Sequence, residues 1–262
     1  MRFGKKSFLA LALSLGLGLG AYAGATAGEN AGHGESKSHW TYEGESGPAN
    51  WGELSADYAT CSKGQSQSPI DISGAQDKDV ADVAFSYEIS AINILNNGHT
   101  VQVNYDAGSS ISVDGVDYQL LQFHFHTPSE HTVGGKSFDT ELHLVHKNAA
   151  GELAVVGVLL ARGAENEAFA DIWAGLPKHA SEVETIDAYV NADDLLPIDR
   201  SSFRYSGSLT TPPCSENVTW IVLKTPVELS GAQVDELHAI INDNNRPVQP
   251  VHERKVISDK AL

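Results

Sequence analysis

QFHFHTPSEHT, residues 122–132, and TELHLVH, residues 140–146, together decide how this chain is read. Strand side chains alternate faces, so Gln122, His124 and His126 share one side while Phe123 and Phe125 share the other. The same alternation sets Glu141, His143 and Val145 on one face, with Leu142, Leu144 and His146 opposite. If the two segments pair across the short VGGKS connection, His143 comes beside His124 and His126. Three neutral imidazoles from adjacent strands, with a fourth position open, make the ligand set of a catalytic zinc rather than a closed structural one. Gln122 and Glu141, each two residues before a histidine, can hold its second ring nitrogen and fix the tautomer. A strand rich in core or surface histidines is the competing reading, because H-x-H alone says little.

Alternation extends outward from this stretch. VQVNY (101–105), SISVDGVDYQLLQFHFH (110–126), TELHLVHK (140–147), ELAVVGVLLA (152–161) and VTWIVLK (218–224) read as strands. NNGH, DAGSS, VDGV, VGGKS and NAAG supply turn signals between strands. Helical patterns are few: ENEAFADIWAGLP (165–177), and SGAQVDELHAIIND (230–243), where Ser230 and Gln233 form a capping-box pair. The expectation is a mostly β (α+β) single domain with a large twisted, largely antiparallel sheet and short peripheral helices.

The chain opens with a basic segment (Arg2, Lys5, Lys6), an apolar run and small-residue patterns at Ala21–Ala23 and Ala25–Ala27. That is the pattern of a secretory signal peptide over 1–27, cleaved after Ala23 or Ala27. Residues 28–38 are polar and Gly/Ser-rich, a flexible leader. The expected domain runs over 39–262, in a periplasmic or secreted protein without a membrane span once the leader is cut. The formal charge is −17, and −20 without the three basic residues of the start. So acidic a surface repels phosphate backbones and anionic lipid, which argues against nucleic-acid binding. Cys61 and Cys214 are the two cysteines. In an oxidising compartment they read as one disulfide, with two free thiols as the alternative.

His-x-His followed by Glu130 also matches part of the cupin pattern. That pattern wants glycine where this chain has Tyr118, and a downstream P-x-G-x-x-H element that is missing. QFHFHTPSEHTVGGKSFDTELHLVH instead resembles the α-class carbonic anhydrases, in their secreted bacterial form. HWTYEGESGPANW (39–51), QSPIDI (67–72), NNGHTVQV (96–103), YSGSLTTPPCSENVTW (205–220) and NNRPVQP (244–250) resemble family segments in family order.

This resemblance implies reversible hydration of carbon dioxide to bicarbonate and a proton through a zinc-bound hydroxide, with Zn2+ on His124, His126 and His143. It implies that Thr210 accepts a hydrogen bond from the hydroxide and donates to Glu130, and that His99 shuttles protons. Val145, Val155, Leu209, Val218 and Trp220 correspond to the apolar substrate pocket. Thr211 and Tyr42 correspond to the active-site water network, and Gln102 and Gln122 to polar cavity residues. Cys61 and Cys214 match the disulfide of secreted members, and Ser68–Pro69 and Pro212–Pro213 match cis peptide positions. Carbon dioxide and bicarbonate are the implied ligands, sulfonamides and inorganic anions the implied inhibitors, and a homodimer a recurrent assembly. Two other functions compete: a non-catalytic relative that binds through the same fold, and a zinc scavenger using His33 and His39. Retention of all three histidines with Glu130 and Thr210 favours the enzyme.

Overall fold

The computed structural model describes residues 39–259. The signal segment and leader expected over 1–38 lie outside the described residues. Eight strands build the region of interest: β1 (Ile89–Asn96), β2 (Val101–Asn104), β3 (Val116–His126), β4 (Thr140–Lys147), β5 (Leu153–Arg162), β6 (Val183–Asn191), β7 (Ser202–Ser208) and β8 (Glu216–Leu229). They lie in the order β6-β1-β2-β3-β4-β5-β8-β7, continued by Ile257–Asp259 and Gln76–Asp77. Ala84–Ser86 and Ser110–Val113 complete a twelve-stranded sheet among the described residues. Its pairs are antiparallel except β5 with β8 and Ile257–Asp259 with Gln76–Asp77. The mostly β, largely antiparallel architecture expected from the alternation is the one observed, and the longest described helix, α1 (Gly231–Ile241), has 11 residues. Among the described residues no helix is long and apolar enough to cross a membrane.

Each face of the sheet has its own apolar cluster. Phe123, Phe125, Leu142, Leu144, Val156, Val158 and Ile221 pack on one side with Phe169, Trp173 and Leu237. Val155, Leu159, Val218, Trp220 and Val222 pack on the other with Ile70 and Tyr205. Burying each such large side chain stabilises the fold by about 1.5–3 kcal/mol. This two-sided burial is why the histidines can face one way only while the phenylalanines remain in the core.

The single strand expected over 110–126 is a hairpin instead. Ser110–Val113 pairs with the start of β3, and the chain turns at Asp114 and Gly115, with φ of 51° and 80°. Asp-Gly suits a two-residue turn that requires positive φ at both positions. A register shift between Leu120 and Gln122 then leaves Leu121 as an extra residue. Tyr118 and Leu120 are buried before it, Phe123 and Phe125 after it. The bulge thus changes which parity of residue faces the main core, and hands His124 and His126 to the opposite face.

The capping box is formed: Ser230 Oγ accepts from Gln233 N and Gln233 Oε1 accepts from Ser230 N. The pattern at 165–177 yields a 3₁₀ turn, Glu167–Phe169, running into a short α-helix, Ala170–Ala174. Cys61 and Cys214 form a disulfide across 153 residues of sequence. Ser68–Pro69 and Pro212–Pro213 are cis, and so is Thr127–Pro128.

Candidate metal centre

The strand register assembles the site. His124 lies directly opposite His143, Gln122 opposite Val145 and His126 opposite Glu141. Gln102 pairs with His124 from the other neighbour, β2. His143 is opposite Gly157 on β5, where a Cβ would stand 3.0 Å from Glu141 Oε1. A glycine there leaves room for the buried carboxylate.

Each histidine has one ring nitrogen engaged. His124 Nδ1 lies 2.8 Å from Gln122 Oε1, and His126 Nδ1 lies 2.8 Å from the Asn244 carbonyl. His143 Nε2 lies 2.9 Å from Glu141 Oε1. All three acceptors require N–H on the engaged nitrogen, so in the neutral ring the other nitrogen carries a lone pair. The three side chains can each offer one ligand atom within 4.8 Å of the others. His126 Nε2, although buried, has no hydrogen-bond partner. A tetrahedral ion bound at about 2.0–2.1 Å would draw its nitrogens to roughly 3.3 Å apart. Three lone pairs, one of them buried and otherwise unsatisfied, fit zinc.

The electrostatics divide this trio. Burial, then the neighbouring histidines, holds His124 well below the ordinary imidazole pKa. Burial also lowers His126, outweighing Glu130. At His143 burial opposes the charge, but the Glu141 carboxylate overrides it and raises the pKa. Burial likewise pushes Glu141 up, but His131 and His143 hold it well below the carboxylate range. Glu141 is therefore an anion that makes His143 the more basic imidazole.

That anion is fully satisfied. Its Oε2 accepts from the backbone N–H of Glu130 and His131 at 2.9 and 2.8 Å, and its Oε1 meets His131 Nδ1 at 2.6 Å. His131 Nε2 continues to Tyr205 Oη at 2.7 Å. His131, Tyr205, Asn244 and Arg246 all belong to motifs quoted above, yet sequence reasoning assigned none of them a role. Burial is the missing signal: His131 and Arg246 are 0% and 1% exposed.

Glu130 is buried, its Oε1 accepting from Arg246 N at 2.8 Å. Its Oε2 has no hydrogen-bond partner and lies 3.6 Å from His126 Nε2 and 3.9 Å from His143 Nδ1. The carboxylate therefore points at the two ring nitrogens that Asn244 and Glu141 do not engage, and the hydrogen bond from Thr210 that the resemblance implies is not made.

A cavity of about 150 Å³ opens over these groups, lined by Trp40, Tyr42, His99, Gln102, Gln122, His124, His126 and Thr211, among others. Burial, then Glu130, raises the Tyr42 pKa well above the phenol range. Val145, Val155, Leu209, Val218 and Trp220 fall in one apolar cluster, and the Trp220 ring lies 4.9 Å from that of His143. His99 sits on a tight turn where Asn97 Oδ1 accepts from the N–H of His99 and Thr100, and Gly98 has φ of +86°. Its ring stacks on Trp40 at 3.7 Å, with His39 at 6.1 Å. Burial, then His39, lowers its pKa.

Comparison with known proteins accords with this geometry. Residues 46–260 match the family model of eukaryotic-type carbonic anhydrases. A carbonic anhydrase of Klebsiella pneumoniae is 48% identical over 223 residues, covering 84% of this chain and 91% of that protein. The solved structure of an α-carbonic anhydrase from Thermovibrio ammonificans with the inhibitor sulfanilamide superposes with a TM-score of 0.83. It is 44% identical and covers 84% of this chain and 99% of that one. A hyperthermostable carbonic anhydrase from a hydrothermal vent chimney gives a TM-score of 0.83 at 45% identity, covering 85% and 100%. The chain belongs to the α-carbonic anhydrase family.

Proposed function

We propose that the protein catalyses reversible hydration of carbon dioxide to bicarbonate and a proton, with zinc held by His124, His126 and His143. The observation that carries this reading is the arrangement of ring nitrogens: Gln122, Asn244 and Glu141 each occupy one, leaving three convergent lone pairs. Zinc so held supplies a Lewis acid that lowers the pKa of a bound water to about 7, a value established for carbonic anhydrases themselves.

The other roles belong to the chain's own groups. An ionised carboxylate can only accept a hydrogen bond, so a Thr210 hydroxyl that turned to donate to the unpartnered Glu130 Oε2 would be left to accept from the reacting oxygen. That order favours ligands with a proton to donate and orients a lone pair toward the carbon. Carbon dioxide carries no net charge, so Val145, Val155, Leu209, Val218 and Trp220 can hold it close without strong attraction, and charged bicarbonate leaves the same wall readily. His99, half-buried at the cavity with a depressed pKa, is neutral at pH 7 and free to take a proton and pass it to buffer. Tyr42, Gln102, Gln122 and Thr211 furnish polar groups for the water between them.

Sulfonamides and inorganic anions are the expected inhibitors, as sulfanilamide is for the Thermovibrio relative. The disulfide supports an oxidising compartment, periplasmic or extracellular. Stopped-flow hydration of carbon dioxide tests the function. Activity should vanish after chelation and return with zinc; zinc retained without hydration would favour a binding protein.

A further inference from the structure

Arg246 is a buried charge that the proposed chemistry does not use. Its guanidinium donates to Gln67 Oε1 at 2.9 Å, to the Ser68 carbonyl at 2.8 Å and to the Cys61 carbonyl at 2.8 Å. It also lies over the Trp51 ring, 5.7 Å from the centroid. These contacts fasten it to the segment that carries the disulfide and the cis Ser68–Pro69 bond. Burial lowers its pKa to about 10, which leaves it charged at neutral pH.

The backbone beside this anchor faces the metal site. Arg246 N–H donates to Glu130 Oε1, and the Asn244 carbonyl accepts from His126 Nδ1. Asn244 also receives Thr127 N–H on its Oδ1 and donates from Nδ2 to the carbonyls of Phe125 and His99. Residues 244–246 therefore form a strap across the end of β3. What it presents to His126 and Glu130 are main-chain groups, which no side chain of the strap can re-aim by rotating. Their placement depends on where the strap is fastened, and Arg246 is a fastening with three acceptors.

We propose that Arg246 is a positioning residue that anchors the Asn244–Arg246 strap and thereby sets the orientation of His126 and the carboxylate of Glu130. The inference rests on the reading of His124, His126 and His143 as zinc ligands. A residue that merely adds stability would lower the melting temperature without changing how tightly the folded protein holds zinc. Loss of a hydrogen-bond partner behind a ligand typically lowers affinity about 10–100-fold.

The test compares Arg246→Met with Arg254→Met in the full-length zinc-loaded protein. Arg254 is a matched control: it donates to the carbonyls of Gln67, Pro250, Ser206 and Val251, and its guanidinium lies over Tyr205, but none of these hydrogen bonds goes to the strap. Zinc affinity by competition with a chromogenic chelator is read beside kcat/KM and thermal unfolding. Arg246→Met should weaken zinc binding at least about tenfold and lower kcat/KM, while Arg254→Met melts earlier but keeps wild-type affinity. Affinity in Arg246→Met within about twofold of wild type, or an equal loss in Arg254→Met, overturns the proposal. If Arg246→Met does not fold, Arg246→Lys carries the same test. It keeps the charge but not the forked geometry, and its unchanged affinity would be equally fatal. Failure of the wild type to bind zinc would instead remove the metal reading beneath it.

Discussion

Replacing Glu141 by glutamine should weaken metal binding through the tautomer of His143, and the structure says how. Glu141 accepts four hydrogen bonds, two from backbone N–H groups and two from imidazoles. Glutamine keeps one oxygen and places an NH₂ where the other was. If the NH₂ turns to the backbone of Glu130 and His131, two buried donors face another donor and cannot adapt, at about 1–3 kcal/mol each. If it turns to the imidazoles, those can adapt by moving their protons. His143 then carries its proton on Nδ1, the nitrogen that should bind metal. The second outcome is cheaper in stability, so the loss appears in affinity. We expect zinc to bind about 10–100-fold more weakly, equivalent to about 1.4–2.8 kcal/mol. Competition with a chromogenic chelator measures it, and circular dichroism at the assay temperature establishes that the variant is folded. A folded Glu141→Gln protein with zinc affinity within about threefold of wild type would refute the tautomer argument.

Other perturbations have outcomes of defined sign. His99→Ala should slow turnover in weak buffer by at least about tenfold and recover with added imidazole, while kcat/KM in strong buffer holds. No rescue would assign the proton to another group. His146, fully buried with Nε2 on Tyr87 Oη, has its pKa lowered to about 4 by burial. Its unfolded form binds more protons between pH 4 and 6.5, so the stability linked to its burial is complete above 6.5 and lost as pH falls toward 4. The span corresponds to about 3 kcal/mol. Acid titration of metal-free His146→Gln should therefore show a shallower decline over that window than wild type, and parallel curves would contradict the assignment. Replacing both Cys61 and Cys214 by serine should lower stability by about 2–5 kcal/mol in denaturant unfolding, and an unchanged midpoint would deny the cross-link that role.

Much of this was legible in the chain because burial obeys period two. Thr140–Lys147 forms a strand with the expected bounds, and Glu141, His143 and Val145 share a face as the alternation required. Ser230 and Gln233 announced their helix start. The strand ending in His126 was harder, because the bulge at Leu121 reverses the phase midway and Asp114–Gly115 turns what reads as one run into two strands. Ile89–Asn96, Val183–Asn191 and Ser202–Ser208 are not among the strands expected from the alternation; Val183–Asn191 is an edge strand with exposed Val183 and Tyr189, so its apolar alternation is weak. Within the site, Gln122 and Glu141 were readable because each lies two residues from its histidine. Asn244 and Arg246 were not, because they reach His126 and Glu130 through backbone groups across 118 and 116 residues of sequence. A main-chain partner leaves no side-chain signature.

The central claim is the identity of the atoms around one ion. Crystallographic anomalous scattering at the zinc edge, on protein loaded with one equivalent, tests it most directly. The account predicts a single peak bonded to His124 Nε2, His126 Nε2 and His143 Nδ1, with solvent in the fourth position and Glu130 outside bonding distance. No peak among these nitrogens, or Glu130 Oε2 as a ligand in place of one of them, would contradict it.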